Sequence, residues 1–331
     1  METNAMSIRT SFPTCQAAAN VPGTIDQAVP VNYPRHPITF VVGFPRGGPV
    51  HFLASLISRS MRRVLGQRVI IQNRPGAAGN RGAASAAHAA PNGYTLYVCY
   101  RGNTMNQLLY RVLDVDMMRD FVPIGLIATA SNVLVAHPDV AARTVDEFVS
   151  LARRAPGNLT FASAGPGSSS HLLCELFKLA TQSDVLNIPY RGAGPALDDL
   201  LAGRVDAKFE SFPSSQPHIE AGSLRPIAVA GRKRIACLPD TPTMEESGFA
   251  GFFLDNWYGL MAPAGTPSDI ALQLNEALNC ALTDKEVQQA VGARGYILPQ
   301  SPNGPGLLLD LIAAEYREWK AIVESRAAQR N

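Results

Sequence analysis

Apolar positions in the first part of the chain follow two periods, one typical of buried strands and one typical of amphipathic helices. An apolar run at 38–43 predicts a strand, and residues 50–65 carry apolar side chains at helical spacing. A second strand at 69–71, an Ala-rich helix at 81–90 and a third strand at 94–100 complete the pattern. Because strands that alternate with helices form parallel sheets, this segment predicts one βαβαβ half of a doubly wound α/β fold.

A long extended segment at 124–135 precedes a second set of alternating elements. Thr144 and Glu147 form a capping box, which predicts a helix that continues to Ala155. The elements predicted after it are a strand at 159–162, a helix through 172–177, a strand at 187–190, a helix at 196–201, and strands at 205–209 and 226–230. A second unit of βαβ order is therefore expected.

The C-terminal part begins with another extended segment, at 254–261, and only helices are predicted after it. Thr266 is the expected N-cap of the first, with Pro267 at its first position and an acid at its third. A capping box at 283–286 and a last helix after Gly306 follow. The residues expected to face inward are Ile270, Leu274, Ala277 and Ala281 in the first helix, and Leu308, Ile312, Tyr316, Trp319 and Ile322 in the last. These helices must pack on a sheet that other segments form.

The two extended segments predict that the chain passes between two lobes near residues 130 and 255, and 331 residues fit two domains of about 150 each. The first lobe is expected to comprise residues 33–135 and 253–331, and the second lobe residues 136–252. Residues 1–32 are polar and contain no apolar run of the roughly 7–15 residues that a secretory signal requires. We expect a poorly ordered lead-in there.

Composition excludes several classes of protein. A hydrophobic content of 46% with 17% charged residues argues against disorder, and no apolar stretch reaches the roughly 18 residues of a membrane span. A net charge of +2 is too small for a nucleic-acid-binding protein. The five cysteines are scattered, which is typical of free thiols. The six histidines show no H-E-x-x-H and no pairing with Cys, so neither a metal nor another cofactor is expected.

Two Gly-rich turns carry the candidate chemistry: the first turn, residues 44–49, and the second turn, residues 163–170. Each follows a predicted strand and delivers backbone N–H groups to the start of a helix, where the helix dipole also favours an anion. A simpler alternative, that their glycines only allow tight corners, stays open. The hydroxyls of Ser168, Ser169 and Ser170 are more donors than a corner requires. The turns therefore predict two lobes that grip one anion.

No catalytic motif competes with these turns. The chain lacks G-x-S-x-G and G-K-[ST], and the glycines of 76–82 lack dinucleotide-binding spacing. Ser169 and His171 are close in sequence, but neighbours two apart at a helix start point in different directions. His51 and His171 are singled out because each adjoins a turn, although capping or packing explains them equally well.

The ordered motifs resemble the Bug-type extracytoplasmic solute receptors of tripartite tricarboxylate transporters, also known as the UPF0065 group. Part of the match lies in Tyr33-Pro34, Val41 to Gly48, Gln72 to Asn80 and Phe161 to Leu172. The other matching segments are 37–38, 90–96, 120–124, 175–177, 188–192, 238–243 and 257–267. The resemblance spans about 33–326 and implies a two-lobed fold of the type II periplasmic-binding-protein kind, with its ligand cleft between the lobes.

The resemblance also implies a set of ligand-binding residues. They are Phe44, Gly47, Gly48, Pro49 and Val50 at the first turn, and Ser163, Gly165, Gly167, Ser168, Ser169 and His171 at the second. Tyr190, Glu210, Asn256 and Trp257 are expected to line the far side. The chain departs from the usual family residues at Arg46, at His51 and Glu210, where Asp is usual, and at Cys99-Tyr100-Arg101, where small residues line the cleft. Of these, His51 and Tyr100 join the expected ligand-binding set.

The resemblance implies a non-enzymatic, monomeric receptor that delivers a small organic carboxylate to membrane permease subunits, without a cofactor or nucleic acid. The departures favour a dicarboxylic or aromatic acid. Residence in the periplasm is implied, and a cytoplasmic or degenerate sensing homologue is the alternative because no export signal is visible. A hydrolase that uses Ser169 and His171 is a further alternative. The effector domain of a LysR-type regulator, which has a related fold, would need a DNA-binding domain of roughly 60 residues before the lobes.

Overall fold

The computed structural model describes residues 33–109, 114–166, 168–300 and 302–329, and the described residues from 34 onward form one compact unit. The strands are β1 (Ile38–Val42), β2 (Val69–Asn73), β3 (Thr95–Tyr100), β4 (Phe121–Ala136), β5 (Thr160–Ser163), β6 (Leu186–Pro189), β7 (Ala207–Ser211), β8 (Arg225–Ala230) and β9 (Asp255–Pro263). The helices are α1 (Pro49–Leu65), α2 (Asn80–Ala87), α3 (Arg101–Leu109), α4 (Val145–Arg154), α5 (Ser169–Thr181), α6 (Ala193–Leu201), α7 (Phe212–Glu220), α8 (Ser268–Leu282), α9 (Lys285–Gly292) and α10 (Pro305–Gln329).

The first sheet has the strand order β2-β1-β3-β9-β4. Strand β1 pairs in parallel with β2 on one side and with β3 on the other, while β9 pairs antiparallel with β3 and β4. The chain leaves β1 through α1 toward β2 and returns through α2 to β3. The sheet therefore reverses direction between β1 and β3, where ligands bind outside the carboxyl ends of strands in open α/β folds.

The second sheet repeats this arrangement. Strand β5 pairs in parallel with β6 and β7, β7 pairs antiparallel with β4, and β8 pairs with the other edge of β4. The chain leaves β5 through α5 toward β6 and returns through α6 to β7, so this sheet reverses direction between β5 and β7. Each sheet thus places one crevice at the carboxyl ends of two parallel strands.

Strand β4 belongs to both sheets. It pairs with β9 as far as Ser131, opposite Asp255, and from Asn132 onward it pairs with β7 and β8. Separate apolar clusters cover the two sheets: one packs around Tyr97, Met261 and neighbours, and two others pack on opposite faces of the second sheet. The fold is a two-lobed α/β fold, as expected. The lobe bounds given above stay a prediction.

Two helices were not predicted from the sequence. Helix α3 contains Gly102, Asn103 and Thr104, which are poor helix formers. Helix α7 contains two prolines, Pro213 in its first turn and Pro217 in its interior. Proline fits the first turn because no intrahelical N–H bond is lost there, whereas a proline in the interior of a helix is an unfavourable local signal.

Two predicted caps at the C-terminal helices were wrong by one position. Helix α8 begins at Ser268 and has Pro267 as its N-cap, while the Thr266 hydroxyl donates to the Pro263 carbonyl at 2.7 Å. Helix α9 is capped by Asp284, which accepts from the Glu286 N–H at 3.0 Å. In both places, a neighbouring residue has the extended backbone that an N-cap needs.

Other local predictions were confirmed. Thr144 and Glu147 form the reciprocal capping box at α4. The predicted inward residues of α8 are buried, as are Leu308 and Ile312 of α10. Tyr316 is only half-buried, and the side chains of Trp319 and Ile322 lie outside the described residues. Cys99, Cys174 and Cys237 are free thiols. As a separate finding, none of the described helices is long and apolar enough to cross a membrane.

Candidate functional site

Four helices begin at the carboxyl ends of parallel strands. Helices α1 and α3 follow β1 and β3 in the first sheet, and α5 and α7 follow β5 and β7 in the second. The first turn lies between β1 and α1, and the second turn lies between β5 and α5. Both turns therefore lie at the crevices that the strand orders define.

The first turn presents the start of α1 without a side-chain cap. Gly47 has φ of +90°, a left-handed conformation that favours glycine, and Gly48 is the N-cap with no side-chain hydrogen bond. Pro49 occupies the first position of the helix, its first turn holds no acidic residue, and Val50 is buried. The N–H groups at a helix start have no intrahelical acceptor, so this turn is suited to an anion.

A polar contact and an aromatic contact fix the side chains around the first turn. The Asn73 amide donates to the Phe44 carbonyl at 2.7 Å and lies 3.1 Å from Nδ1 of His51. The Phe44 ring meets the Tyr100 ring edge-on, with centroids 4.9 Å apart. The structure thus brings Phe44, His51 and Tyr100 together around the first turn, and their role in ligand binding stays a prediction.

The second turn depends on a glycine. Gly165 has φ of +108°, and a Cβ at this position would lie 2.9 Å from the Tyr190 carbonyl oxygen. Any side chain would be strained in this conformation and would contact that backbone. Gly167 lies outside the described residues. Ser163, at the end of β5, is buried, and its carbonyl accepts from the Tyr190 N–H at 2.9 Å.

Most of the serine hydroxyls at the second turn serve local capping. The Ser168 hydroxyl donates to the Gly165 carbonyl at 2.7 Å and accepts from the His171 N–H at 3.2 Å. The Ser170 hydroxyl accepts from the Ala164 N–H at 3.0 Å. The prediction that these hydroxyls are surplus donors, beyond those that a tight turn requires, was therefore wrong for Ser168 and Ser170. Both hydroxyls form hydrogen bonds within the turn and at the start of the helix.

Ser169 instead points across the crevice. Its hydroxyl donates to Oδ1 of Asn256 at 2.8 Å, and the Asn256 amide donates to Oδ1 of Asn132 at 3.0 Å. The Asn132 amide in turn donates to the Leu254 carbonyl at 2.6 Å. Because the Asn132 and Asn256 amide groups each donate along this chain of bonds, Oδ1 of Asn256 faces Ser169. The Ser169 hydroxyl therefore donates its proton to Asn256.

Arg101, at the crevice of the first sheet, contacts Ser169 at the crevice of the second sheet. Its guanidinium is buried, and Nη1 lies 3.4 Å from the Ser169 hydroxyl oxygen across the gap between α3 and α5. Its Nε donates to Oε1 of Glu315 at 2.6 Å, and Oε2 of Glu315 accepts from the Trp257 indole at 2.8 Å. The start of α3 in the first sheet therefore lies next to the start of α5 in the second, and the carboxyl ends of β3 and β5 approach each other there.

Two expected far-side residues are engaged within the second lobe. The Tyr190 hydroxyl donates to Asp199 of α6 at 2.7 Å, and burial together with this carboxylate raises the pKa of Tyr190 to about 12. Glu210 is buried on β7, where it pairs with Lys208 and accepts from the Ser211 N–H at 2.9 Å. Burial lowers the pKa of Lys208 to about 7. The polar groups of Tyr190 and Glu210 thus have protein partners.

Sequence reasoning missed Arg101, Glu315 and Asn132 as site residues. Arg101 was noticed as a departure from the family pattern but was not placed in the site. A charged residue directly after a buried strand of a parallel sheet is a usable signal, because that position faces the crevice. Glu315 lies on the last helix, 214 residues from Arg101, and no local pattern links the two.

The described residues contain no group of three or more His, Cys, Asp or Glu side chains that could hold a metal ion. The geometry also gives no support to the hydrolase alternative. A nucleophilic serine needs a neighbouring base to take its proton, and the Ser169 proton is given to a neutral amide oxygen.

Two lobes that share a long strand, with a polar crevice where their sheets meet, define a solute-binding receptor. The family model described as "Tripartite tricarboxylate transporter family receptor" matches residues 53–327. The chain belongs to this family, the one that its motifs resemble.

Named relatives agree with this assignment. The chain is 38% identical over 296 residues to the UPF0065 protein in the tcbD-tcbE intergenic region of Pseudomonas sp. (strain P51), covering 89% of this chain and 88% of that one. It is 35% identical to protein BugT of Bordetella pertussis, with 91% and 94% covered.

Solved structures with bound acids are similar in fold. A Rhodopseudomonas palustris protein solved with adipate has a TM-score of 0.82 at 32% identity, covering 88% of this chain and 98% of that one. MatC of the same organism, solved with bound malate, has a TM-score of 0.80 at 33% identity, with 88% and 100% covered.

Proposed function

We propose that this receptor captures a small organic carboxylate between the first and second turns. The observation that supports the proposal is the Arg101–Ser169 contact, because Arg101 follows Tyr100, which packs on Phe44 of the first turn, and Ser169 belongs to the second turn. The uncapped start of α1 offers backbone N–H groups on one side, and on the other side the helix dipole at the start of α5 also favours an anion. When the lobes close, the ligand would contact both turns at once. The ligand therefore shifts the population of the receptor toward the closed conformation.

The similar structures support a carboxylate as ligand. Two receptors that share the fold and about a third of their residues with this chain were solved with adipate and malate, which both carry two carboxylates. We further propose that the receptor is a non-enzymatic monomer that passes its ligand to membrane permease subunits. Its place of work would be the periplasm, since its family serves a transporter and a similar structure, BugD, is described as a periplasmic binding protein.

The test is a thermal-melting screen of the purified chain against mono-, di- and aromatic carboxylates. A ligand at 100 times its Kd adds about 2.7 kcal/mol to the free energy of unfolding, which is a measurable rise in Tm. A panel without any stabilising carboxylate would contradict the proposal.

Two glycine variants make the screen specific for the crevice. Gly165→Ala places a Cβ against the Tyr190 carbonyl and distorts the second turn, so the ligand-induced rise in Tm should be lost. Gly222→Ala is the matched control, because Gly222 also has a positive φ, of +73°, but lies in a turn after α7 with no atom within 4 Å of the added Cβ. It should lower the basal Tm and keep the ligand effect.

A further inference from the structure

Arg101 is a buried cation, and the Glu315 carboxylate is one of its partners. The side chain is 1% exposed, and Glu315 holds its Nε at 2.6 Å. The same carboxylate accepts from the Trp257 indole at 2.8 Å, and Trp257 itself is buried on β9. A carboxylate shared between two rigid donors fixes the plane of the guanidinium, because Arg presents its donors in a planar fork.

The other side of the guanidinium faces the opposite lobe. Nη1 lies 3.4 Å from the Ser169 hydroxyl oxygen, which is longer than the roughly 2.7–3.2 Å of ordinary N–H···O bonds. The Ser169 proton is held by Asn256, and Asn256 is held by Asn132, so Ser169 meets the guanidinium as a neutral acceptor. A carboxylate at this place would accept a shorter, charge-assisted bond, which is about twice as strong.

The crevice therefore contains two different sets of donors for anions. One is the start of α1, where Gly48 is an N-cap without a side-chain bond and no acidic residue is present in the first turn. The other is the Nη1 side of Arg101 next to Ser169. One carboxylate on each set requires a ligand with two acidic groups.

On the basis of the proposed function, we infer that Arg101 is a specificity-determining residue that binds the second carboxylate of a diacid. Glu315 is a positioning residue that holds the guanidinium toward the crevice. The ligand carboxylate replaces the long contact with Ser169 and joins the two lobes through Arg101. A ligand with an uncharged amide at that end would offer Nη1 of Arg101 a neutral acceptor in place of a carboxylate and should bind less well.

The test compares diacids with their monoamides by titration calorimetry. Adipate, malate and phthalate are each paired with the compound in which one carboxylate is an amide. The wild-type protein should prefer its diacid over the monoamide by roughly 10-fold or more, as expected for a hydrogen bond to a charged group. In Arg101→Met this ratio should fall toward one, and Arg101→Lys should lie between the two, because Lys keeps the charge but loses the fork.

Controls separate this role from a structural one. Arg119→Met removes an exposed arginine that pairs with Asp120, and it should leave the ratio unchanged. If Arg101→Met fails to fold, Arg101→Met/Glu315→Gln removes both charges, keeps an acceptor for Trp257, and should also lose the preference. A purely structural role would weaken diacid and monoamide equally and keep their ratio.

The outcomes of the two proposals are distinguishable. If the wild-type protein binds only monocarboxylates, or if the ratio is the same in wild type and in folded Arg101→Met, the inference about Arg101 is wrong while the proposed function stands. If the wild-type protein binds no carboxylate, both are wrong. A preference for the diacid that disappears in both Arg101→Met proteins supports the inference.

Discussion

The buried ion pair on β7 allows a quantitative test of how charge is held inside the second lobe. Lys208 and Glu210 have side chains that are 1% and 5% exposed, and their charged groups are in direct contact. Val135 lies opposite Lys208 and Val133 lies opposite Glu210 on β4, so the strand beside the pair is apolar there. Substitution of Lys208 by Met removes the cation and leaves the carboxylate buried.

The expected cost follows from this burial. Removal of one partner from a buried ion pair costs about 3–5 kcal/mol, because the remaining charge is left without compensation. The double variant Lys208→Met/Glu210→Gln removes both charges, and the Gln oxygen can still accept the bond from the Ser211 N–H. Replacement of both charges in a buried pair is often close to neutral, so we expect the double variant to be more stable than Lys208→Met by about 2 kcal/mol or more.

The assay is urea denaturation followed by far-UV circular dichroism at pH 6, below the pKa of about 7 to which burial lowers Lys208. Lys178→Met is the matched control. Lys178 pairs with Glu175 on α5 at 3.4 Å, and both side chains are partly exposed, so its loss should cost no more than about 0.5 kcal/mol. A cost below about 1 kcal/mol for Lys208→Met, or a double variant no more stable than the single one, would refute the reasoning.

Two further predictions concern pH and a helix cap. Because the pKa of Lys208 is about 7 in the folded state and about 10.4 in the unfolded state, the unfolded state binds more protons above pH 7, and stability should rise with pH. Between pH 7 and 8.5 the gain attributable to Lys208 should be on the order of 1 to 2 kcal/mol, measured as the difference between wild type and Lys208→Met; an equal slope in both would contradict it. Thr144→Ala breaks the reciprocal capping box with Glu147 and should lower the free energy of unfolding by about 1 kcal/mol in urea titrations, whereas an unchanged midpoint would show that the cap adds nothing.

Local signals in the sequence identified most elements of the fold. The parallel order of β2, β1 and β3 follows from apolar runs that alternate with helical periodicity, and the capping box at Thr144 marked the start of α4. Helices α3 and α7 were not predicted, because their Gly, Asn and Pro residues disfavour helices locally. Tertiary packing supplies the stability that these residues lack. The predicted cap positions at Thr266 and Thr283 were wrong because an N-cap requires particular backbone angles, and the residue type favours those angles without fixing them.

For the site, the amino-acid sequence was enough to predict the two glycine-rich turns and their place between strands and helices, because backbone conformation at Gly47 and Gly165 is a local property. The residues that face these turns follow from the packing of distant segments and could not be predicted from local pattern. Arg101 meets Glu315 across 214 residues and Ser169 across 68, and Lys208 neutralises Glu210 inside the lobe instead of leaving it to the crevice. Such contacts depend on how strands and helices pack, and a buried charge takes whichever partner the packing brings within reach.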